Sequence, residues 1–238
     1  MPGSSIGQRL VLTSFGESHG ICVGAVLDGC PAGLELDEND IQKMLNLRKP
    51  GQSLVSTQRK EEDKVEILSG VFRGYTTGAP IAMIIWNADH DSRAYEQLKT
   101  KMRPGHSDYP ALIKYKKFND FRGGGRFSGR LTATHVMGGA IARKLLKTTL
   151  GIETNSYTLQ VGKIRMSKVT QQMMKMIYSN EVRCPDKNIA KKMRDIILAA
   201  RKKGDSLGGV IESVTTNLPV GLGEPIFGSL ESDLGKAL

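Results

Sequence analysis

The chain has 238 residues, of which 39% are hydrophobic and 24% charged, and its formal net charge at pH 7 is +10. This length can bury a substantial core, and no apolar run is long enough to span a bilayer. The charge raises the question of a nucleic-acid partner, but aromatic residues make up only 5% of the chain and do not interleave with a basic block. We therefore expect neither a nucleic-acid nor a membrane partner.

The cysteines and the N-terminus both indicate a cytoplasmic protein. Cys22, Cys30 and Cys184 are odd in number and lack the paired spacing of metal ligands. They are interpreted as reduced thiols, and we expect no metal site. The first residues lack a charged start followed by an apolar block, so secretion is not expected.

Hydrophobic patterning predicts strands that alternate with helices along the whole chain. The predicted strands are Arg9–Thr13, Ile21–Leu27, Lys64–Leu68, Ile81–Trp86, Thr154–Val161 and Val210–Thr216. The predicted helices are Glu38–Leu47, Ser92–Leu98, Thr132–Leu150, Lys168–Tyr178 and Lys187–Lys203. Asp37 and Asp186 are of the type that caps helix N-termini. No repeat or low-complexity linker marks a boundary, so we expect one mixed domain over residues 1–238.

The first candidate functional segment is Phe15–Gly33, with the sequence FGESHGICVGAVLDGCPAG. It holds Ser18 and His19 in a turn flanked by Gly16 and Gly20. Imidazole gives or takes a proton near neutral pH, so this turn is a candidate for acid–base chemistry. A solvated turn, or one that caps a neighbouring strand, is the alternative for this segment alone.

A second histidine lies in similar surroundings at residues 101–109, KMRPGHSDY. His106 follows a Pro-Gly turn, with Arg103 before it and Asp108 after it. A guanidinium and a titratable ring so close in sequence suit an anionic ligand. An exposed polar turn is the alternative for this segment.

The third candidate segment is Phe121–Thr134, FRGGGRFSGRLTAT. Its three successive glycines, between Arg122 and Arg126, give a backbone whose N–H groups can surround an anion. The segment does not match a P-loop, because Arg130 stands where lysine is needed and Leu131 where Mg²⁺ needs a hydroxyl. A structural glycine-rich hinge remains the alternative.

Together these three segments resemble the chorismate synthase family. The matching motifs in this chain are GESHGICVGAVLDGCPAG, RPGHSDY and FRGGGRFSGRLTATHVMGGAI. Family-like sequence also includes LRKPGQS, STQRKEEDKVEILSGVFRGYTTGAPI, and GDSLGGVIESV through GLGEPIF, in the family's order. Full-length members continue well beyond residue 238, so we expect a family domain whose C-terminal part is absent.

The resemblance implies a fold and a reaction. The implied fold is α+β, a sandwich with helices between two antiparallel four-stranded sheets, and members assemble as homotetramers. The implied reaction is the last step of the shikimate pathway, in aromatic amino acid biosynthesis. It is an anti-1,4-elimination of phosphate from 5-enolpyruvylshikimate 3-phosphate, which gives chorismate and needs reduced FMN. Some members reduce the flavin with NADPH, and no dinucleotide motif in this chain decides the reductant.

The resemblance also implies residue roles. As catalytic residues, His19 would protonate the leaving phosphate, and His106 would supply or stabilise a proton at the flavin ring. The implied substrate-binding residues are Ser18, Arg48, Arg103 and Arg130. The implied cofactor-binding residues are Arg126, Phe127, Ser128 and His106.

The chain departs from the family pattern at three points. Leu54 stands where members commonly carry an arginine, Phe127 stands where a small polar residue is usual, and the chain stops early. We therefore expect this polypeptide, alone, to bind flavin poorly and to turn over slowly or not at all. Two other hypotheses remain, a non-catalytic paralogue that retains an anion-binding surface and a basic nucleic-acid-binding protein. A steep salt dependence of affinity for DNA or RNA would favour the latter.

Overall fold

The computed structural model describes residues 3–49, 62–88 and 93–238. The chain divides into two compact units. Among the described residues, the first comprises 3–49, 62–88 and 93–142, and the second comprises 143–238. The single domain expected over residues 1–238 stays a prediction.

Both units combine helices with antiparallel strands. The strands, in chain order, are β1 (Ser5–Ile6), β2 (Val11–Gly16), β3 (Cys22–Asp28), β4 (Val65–Ile67), β5 (Val71–Phe72), β6 (Tyr75–Thr76), β7 (Ile81–Trp86), β8 (Glu153–Val161), β9 (Ile164–Arg165) and β10 (Gly209–Thr216). The α-helices are α1 (Glu38–Arg48), α2 (Asp108–Lys114), α3 (Thr132–Leu150), α4 (Gln171–Met174), α5 (Lys187–Lys202) and α6 (Leu230–Ala237). Shorter 3-10 helices cover Arg93–Lys99, Arg122–Phe127, Gly129–Leu131 and Ile177–Ser179.

The first unit is built on an antiparallel sheet with the strand order β1-β2-β3-β7-β4. The central pair, β3 and β7, runs in register from Cys22 opposite Trp86 to Leu27 opposite Ile81. Apolar side chains from these two strands are buried: Val23, Ala25, Leu27, Ile81, Met83, Ile84 and Ile85. Because β2 ends at Gly16 and β3 begins at Cys22, the first histidine turn lies at one end of this sheet, next to the end of β7.

Helix α1 begins where the sequence predicts. The Asp37 side chain accepts a hydrogen bond from the Asp40 amide at 3.1 Å, and the Asp40 side chain accepts from the Asp37 amide at 3.3 Å. This reciprocal pair satisfies two amides that the helix itself leaves without partners. Ile41 and Leu45, one turn apart, are buried. The helix runs one residue beyond the predicted end and so carries Arg48 in its last turn.

The second unit packs helix α5 against a smaller antiparallel sheet with the order β10-β8-β9. The core includes Tyr157 and Leu159 of β8, together with Ala190 and Met193 of α5. The side chain of Asp186 accepts from the amides of residues 188 and 189 at 2.8 and 2.9 Å, which confirms the predicted cap of α5.

The α+β class and the antiparallel sheets are confirmed. Over the described residues the sheets have five and three strands, besides a separate β5–β6 hairpin. The first sheet gains the two-residue strand β1, which pairs with the edge of β2. In the second sheet, the two-residue strand β9 follows a left-handed turn at Gly162 and pairs antiparallel with β8. Strands of two residues carry no readable alternation, so patterning misses them.

Two predicted helices are less regular than expected. The region of Ser92–Leu98 is a 3-10 helix from Arg93, and Lys168–Tyr178 divides into α4 and a 3-10 turn. The Thr170 side chain accepts from the amide of Met173 at 3.3 Å, so the helical segment starts later than predicted. Within the described ranges, none of the helices has the length and apolar character that crossing a membrane requires.

Candidate active site

The glycine-rich loop has a backbone that other residues do not readily adopt. In the 3-10 segment Arg122–Phe127, Gly123, Gly124 and Gly125 have φ angles of 57°, 86° and 51°. Left-handed angles cost a residue with a side chain about 1–2 kcal/mol, and glycine is free of this cost. The carbonyl of Gly125 accepts from the backbone amide of Ser18 at 3.3 Å. The loop is therefore tied to the turn between β2 and β3.

Two histidines from distant parts of the sequence lie against successive residues of this loop. A methyl group on Gly123 would lie 2.1 Å from Cδ2 of His19, and one on Gly124 would lie 2.9 Å from Cε1 of His106. Successive Cα atoms are about 3.8 Å apart, so the two imidazole rings lie within roughly 13 Å of each other. The structure thus brings together the two histidines that the motifs single out.

The first imidazole is enclosed on two sides. Ser18 is fully buried and His19 is 5% exposed. The Tyr95 ring contacts the His19 ring edge-on, with centroids 4.9 Å apart and planes at 66°. This arrangement is a favoured one for aromatic pairs. With Gly123 against one edge and Tyr95 against another, the ring has little room to move.

The second imidazole is oriented by a carboxylate. Nδ1 of His106 lies 2.7 Å from Oδ1 of Asp108. Arg103 donates to the same carboxylate through Nε at 2.8 Å and Nη2 at 2.9 Å, and its backbone amide also donates. These hydrogen bonds from Arg103 lower the pKa of Asp108 to about 2, so the carboxylate is ionised at neutral pH. Nδ1 therefore faces an ionised carboxylate, and Nε2 lies 3.3 Å from Nη2 of Arg103.

Two of the predicted substrate-binding arginines share one buried carboxylate. Asp63 accepts from Nη1 of Arg48 at 2.7 Å and also from Nη1 of Arg130. The Asp63 side chain is fully buried, and that of Arg130 is nearly so. Buried charges are stable only when they are paired and hydrogen-bonded, so Asp63, Arg48 and Arg130 form one ionic cluster.

The side-chain amide of Asn87 links this ionic cluster to the turn that contains His19. Oδ1 of Asn87 accepts from Nε of Arg130 at 3.0 Å. Nδ2 of Asn87 donates to the carbonyls of Glu17 at 3.0 Å and Gly20 at 2.8 Å. One side chain therefore connects a buried guanidinium to both ends of the turn that contains His19.

The three residues after the glycines have different environments. The Arg126 guanidinium donates to the carbonyls of Gly16 at 3.0 Å and Ser14 at 3.1 Å, so it fastens the loop to β2. The Ser128 hydroxyl accepts from the amide of Arg130 at 3.3 Å. Phe127 is 41% exposed and is the most accessible of the three. The predicted contacts of Arg126, Phe127 and Ser128 with a cofactor stay predictions.

Arg122, which precedes the three glycines, forms a salt bridge with Asp120. Nη2 of Arg122 lies 2.7 Å from Oδ2 of Asp120, and its Nε also donates to that carboxylate. The hydrogen bond from Arg122 lowers the pKa of Asp120 below its usual range. Arg122 and Arg126, on the two sides of the glycines, therefore both make bonds within the protein.

Sequence reasoning missed three residues of the site. Asp63 lies in a run of charged residues that suggests a solvated surface, and its burial depends on arginines distant in sequence. Asn87 follows a strand without any motif, and Tyr95 lies in a segment with little periodicity. Leu54, which departs from the family pattern, lies outside the described residues.

The fold and the site define a class of protein. An α+β unit that brings two imidazoles, a glycine loop and several guanidiniums together is suited to proton transfer on an anionic ligand. A family model described as chorismate synthase matches residues 10–238. The chain therefore belongs to the chorismate synthase family.

Relatives and a solved structure agree with this assignment. The chain is 52% identical to the chorismate synthase of Korarchaeum cryptofilum over 239 residues, which cover 100% of this chain and 66% of that protein. It is 50% identical to that of Dehalococcoides mccartyi over 99% of this chain and 65% of the relative. A crystal structure of a chorismate synthase matches with a TM-score of 0.72 and 31% identity, over 91% of this chain and 61% of that one. The chain thus spans just under two thirds of the relatives it matches.

Proposed function

We propose that the chain carries the phosphate-eliminating site of a chorismate synthase. The substrate is 5-enolpyruvylshikimate 3-phosphate, and the reaction is the anti-1,4-elimination that gives chorismate. The observation that supports this most is the contact of Gly123 with His19 and of Gly124 with His106. Expulsion of phosphate needs a proton source and positive charge in one place, and this convergence supplies the protonatable groups.

His19 is the proposed proton donor to the departing phosphate. Protonation of a leaving oxyanion lowers the barrier to its expulsion, and a ring held between Gly123 and Tyr95 loses little orientational freedom during the reaction. The fully buried Ser18 hydroxyl adjoins it and is the proposed second contact to the substrate.

The three arginines differ in how far a ligand can reach them. The side chain of Arg103 is 37% exposed, that of Arg48 is 19% exposed and that of Arg130 is 2% exposed. Guanidinium groups bind oxyanions through paired N–H donors. Arg103 is therefore the best placed of the three to make direct bonds to the substrate, followed by Arg48. The proposed contribution of Arg130 is positive charge from within the protein.

Reduced FMN supplies, when bound, the transient electron donation that this elimination needs. The local chemistry fits a flavin at His106 and Phe127, because both rings are partly exposed and lie beside the glycine loop. His106 offers a protonatable nitrogen and Phe127 offers an apolar face, and an isoalloxazine requires both. Arg126 and Ser128 bond within the protein and would hold the shape of the loop beside the flavin.

An anaerobic assay tests the proposal. The chain is mixed with reduced FMN and 5-enolpyruvylshikimate 3-phosphate, and the release of inorganic phosphate and the formation of chorismate are followed. Because a general acid contributes about 10²–10⁴-fold, His19→Ala should lose nearly all phosphate release. His135→Ala is the matched control, since His135 is an exposed residue of α3 whose Nδ1 lies 3.3 Å from the Leu131 carbonyl.

Three outcomes would count against the proposal. Equal rates for the two histidine variants would refute the role of His19. Substrate binding without phosphate release by the unaltered chain would favour the non-catalytic paralogue. Neither binding nor release would refute the proposed function for this chain.

A further inference from the structure

One buried carboxylate orients two guanidiniums that come from different parts of the first unit. Oδ2 of Asp63 accepts from Nη1 of Arg48 at 2.7 Å, and Oδ1 accepts from Nη1 of Arg130. Arg48 ends helix α1, and Arg130 precedes helix α3. Each carboxylate oxygen therefore holds a different arginine, and both arginines belong to the set predicted to bind substrate.

The position of this carboxylate is set by its own backbone. Asp63 has a φ of 51°, a left-handed angle that aspartate adopts more readily than most residues. Its carbonyl accepts from Nε2 of Gln42 at 3.1 Å, and Oε1 of Gln42 accepts from the amide of Val65 at 3.0 Å. A single side chain of α1 thus holds the segment that carries the carboxylate.

Further hydrogen bonds define the orientation of each guanidinium. Arg48 donates through Nε to the Thr132 hydroxyl at 3.1 Å and through Nη2 to the Gly129 carbonyl at 3.3 Å. Arg130 donates through Nε to Asn87 at 3.0 Å. Both planar groups are therefore fixed by bonds on more than one edge, with Asp63 between them.

We propose that Asp63 is a positioning residue, which holds Arg48 and Arg130 in the geometry required by the phosphorylated acid substrate; this inference rests on the proposed function. Two guanidiniums repel each other, and a shared carboxylate allows them to lie close together. The same carboxylate lowers the positive potential that an anionic ligand meets. Its removal would therefore tighten binding if charge alone mattered, and would weaken binding if orientation matters more.

The variant Asp63→Asn separates these two effects. The amide is nearly isosteric, but its single oxygen accepts from one arginine while its NH₂ group faces the donors of the other. Arg48 is the more exposed of the two, so water can replace its lost carboxylate contact and compete for its bonds to Thr132 and Gly129. Arg48 is therefore the side chain whose order we expect to fall.

Nitrogen-15 NMR of the arginine Nε–H groups tests the positioning without any ligand. In the unaltered chain both side chains should give rigid, slowly exchanging signals. In Asp63→Asn the Arg48 signal should show fast motion or exchange away, while that of Arg130 persists. Glu181→Gln is the control, since it removes one negative charge from an exposed pair in which Nε of Arg194 lies 3.2 Å from Glu181. An Arg48 signal that stays rigid in Asp63→Asn would overturn the inference.

Calorimetric titration with 5-enolpyruvylshikimate 3-phosphate tests the functional consequence. Loss of one oriented, charge-assisted contact should weaken binding about tenfold or more in Asp63→Asn, whereas Glu181→Gln should bind like the unaltered chain. Equal or tighter binding by Asp63→Asn would overturn the inference. Absence of binding by the unaltered chain would refute the proposed function instead, and the NMR measurement would still decide the positioning role.

A second variant covers the case in which Asp63→Asn does not fold. Asp63→Glu keeps the negative charge, and therefore the charge balance of the cluster, but its extra methylene displaces both guanidiniums. Binding should again weaken severalfold, at unchanged net charge. Binding as tight as that of the unaltered chain would contradict the inference.

Discussion

Replacement of Gly123 by alanine gives the most direct test of the convergence of the two histidines. The added methyl group would lie 2.1 Å from Cδ2 and 2.5 Å from Nε2 of His19, and 3.0 Å from Oγ of Ser18. The residue would also keep a φ near 57°, which is unfavourable for alanine. The imidazole cannot simply retreat, because the Tyr95 ring lies against it.

The expected cost follows from two contributions. The left-handed backbone costs about 1–2 kcal/mol, and forcing a methyl group into a packed site costs about 1–3 kcal/mol. Gly123→Ala should therefore lower the free energy of unfolding by about 2–5 kcal/mol. Displacing the ring by about 1 Å would also reduce any turnover on the order of 10²-fold.

Gly74→Ala is the matched control. Gly74 has a φ of 80°, but a methyl group there would meet nothing within 4 Å. This variant should therefore show the backbone cost alone. Urea unfolding can be followed by the fluorescence of Trp86, the only tryptophan of the chain, which belongs to the first unit. If the two variants lose equal stability, His19 does not lie against the loop and the site as described is wrong.

Two further predictions concern the charged groups. The depressed pKa of Asp108, about 2 against an ordinary 3.8, means that its ionised form stabilises the fold above pH 4 and that this contribution is lost as the pH falls through about 2. Asp108→Asn should therefore be less stable than the unaltered chain by roughly 2 kcal/mol at neutral pH, with the difference shrinking between pH 4 and 2; a constant difference would contradict the assignment. In the second unit, Asp186→Ala removes the acceptor of two amides and should cost about 1 kcal/mol of unfolding free energy by circular dichroism, whereas Asp186→Asn should retain most of it. Equal losses in the two Asp186 variants would show that the cap contributes little.

The parts of the fold that sequence predicts well are those with strong local signals. The strand Ile81–Trp86 has the predicted bounds because a continuous apolar run lies between Pro80 and the polar Asn87. The helix Thr132–Leu150 also has the predicted bounds. Helix α2 was missed because it has seven residues and buries only Ala111, so it has no apolar stripe to detect.

The residues of the candidate site also differ in how well the sequence predicts them. His19, His106 and the arginines are recognisable because they stand in glycine-flanked motifs. Asp63 and Asn87 are not, because their roles depend on partners that are distant in sequence: Arg130 is 67 residues from Asp63 and 43 from Asn87. A polar residue next to a strand carries no local mark of burial, so only the tertiary structure reveals it.

The run of three glycines has a steric explanation that the sequence alone does not provide. The sequence interpretation was a backbone that surrounds an anion with its amides, but the amide of Gly124 donates to the Phe121 carbonyl at 3.1 Å. The space beside each glycine is instead taken by a different group. A methyl group on Gly125 would lie 2.1 Å from the Asp120 carbonyl oxygen, just as those on the two preceding glycines would meet the two imidazoles. Each glycine is thus required by a separate neighbour, and a side chain at either of the first two would push a histidine away from the site. The triple glycine therefore has a steric role in the convergence of the histidines, and the predicted contact of its amides with an anion stays a prediction.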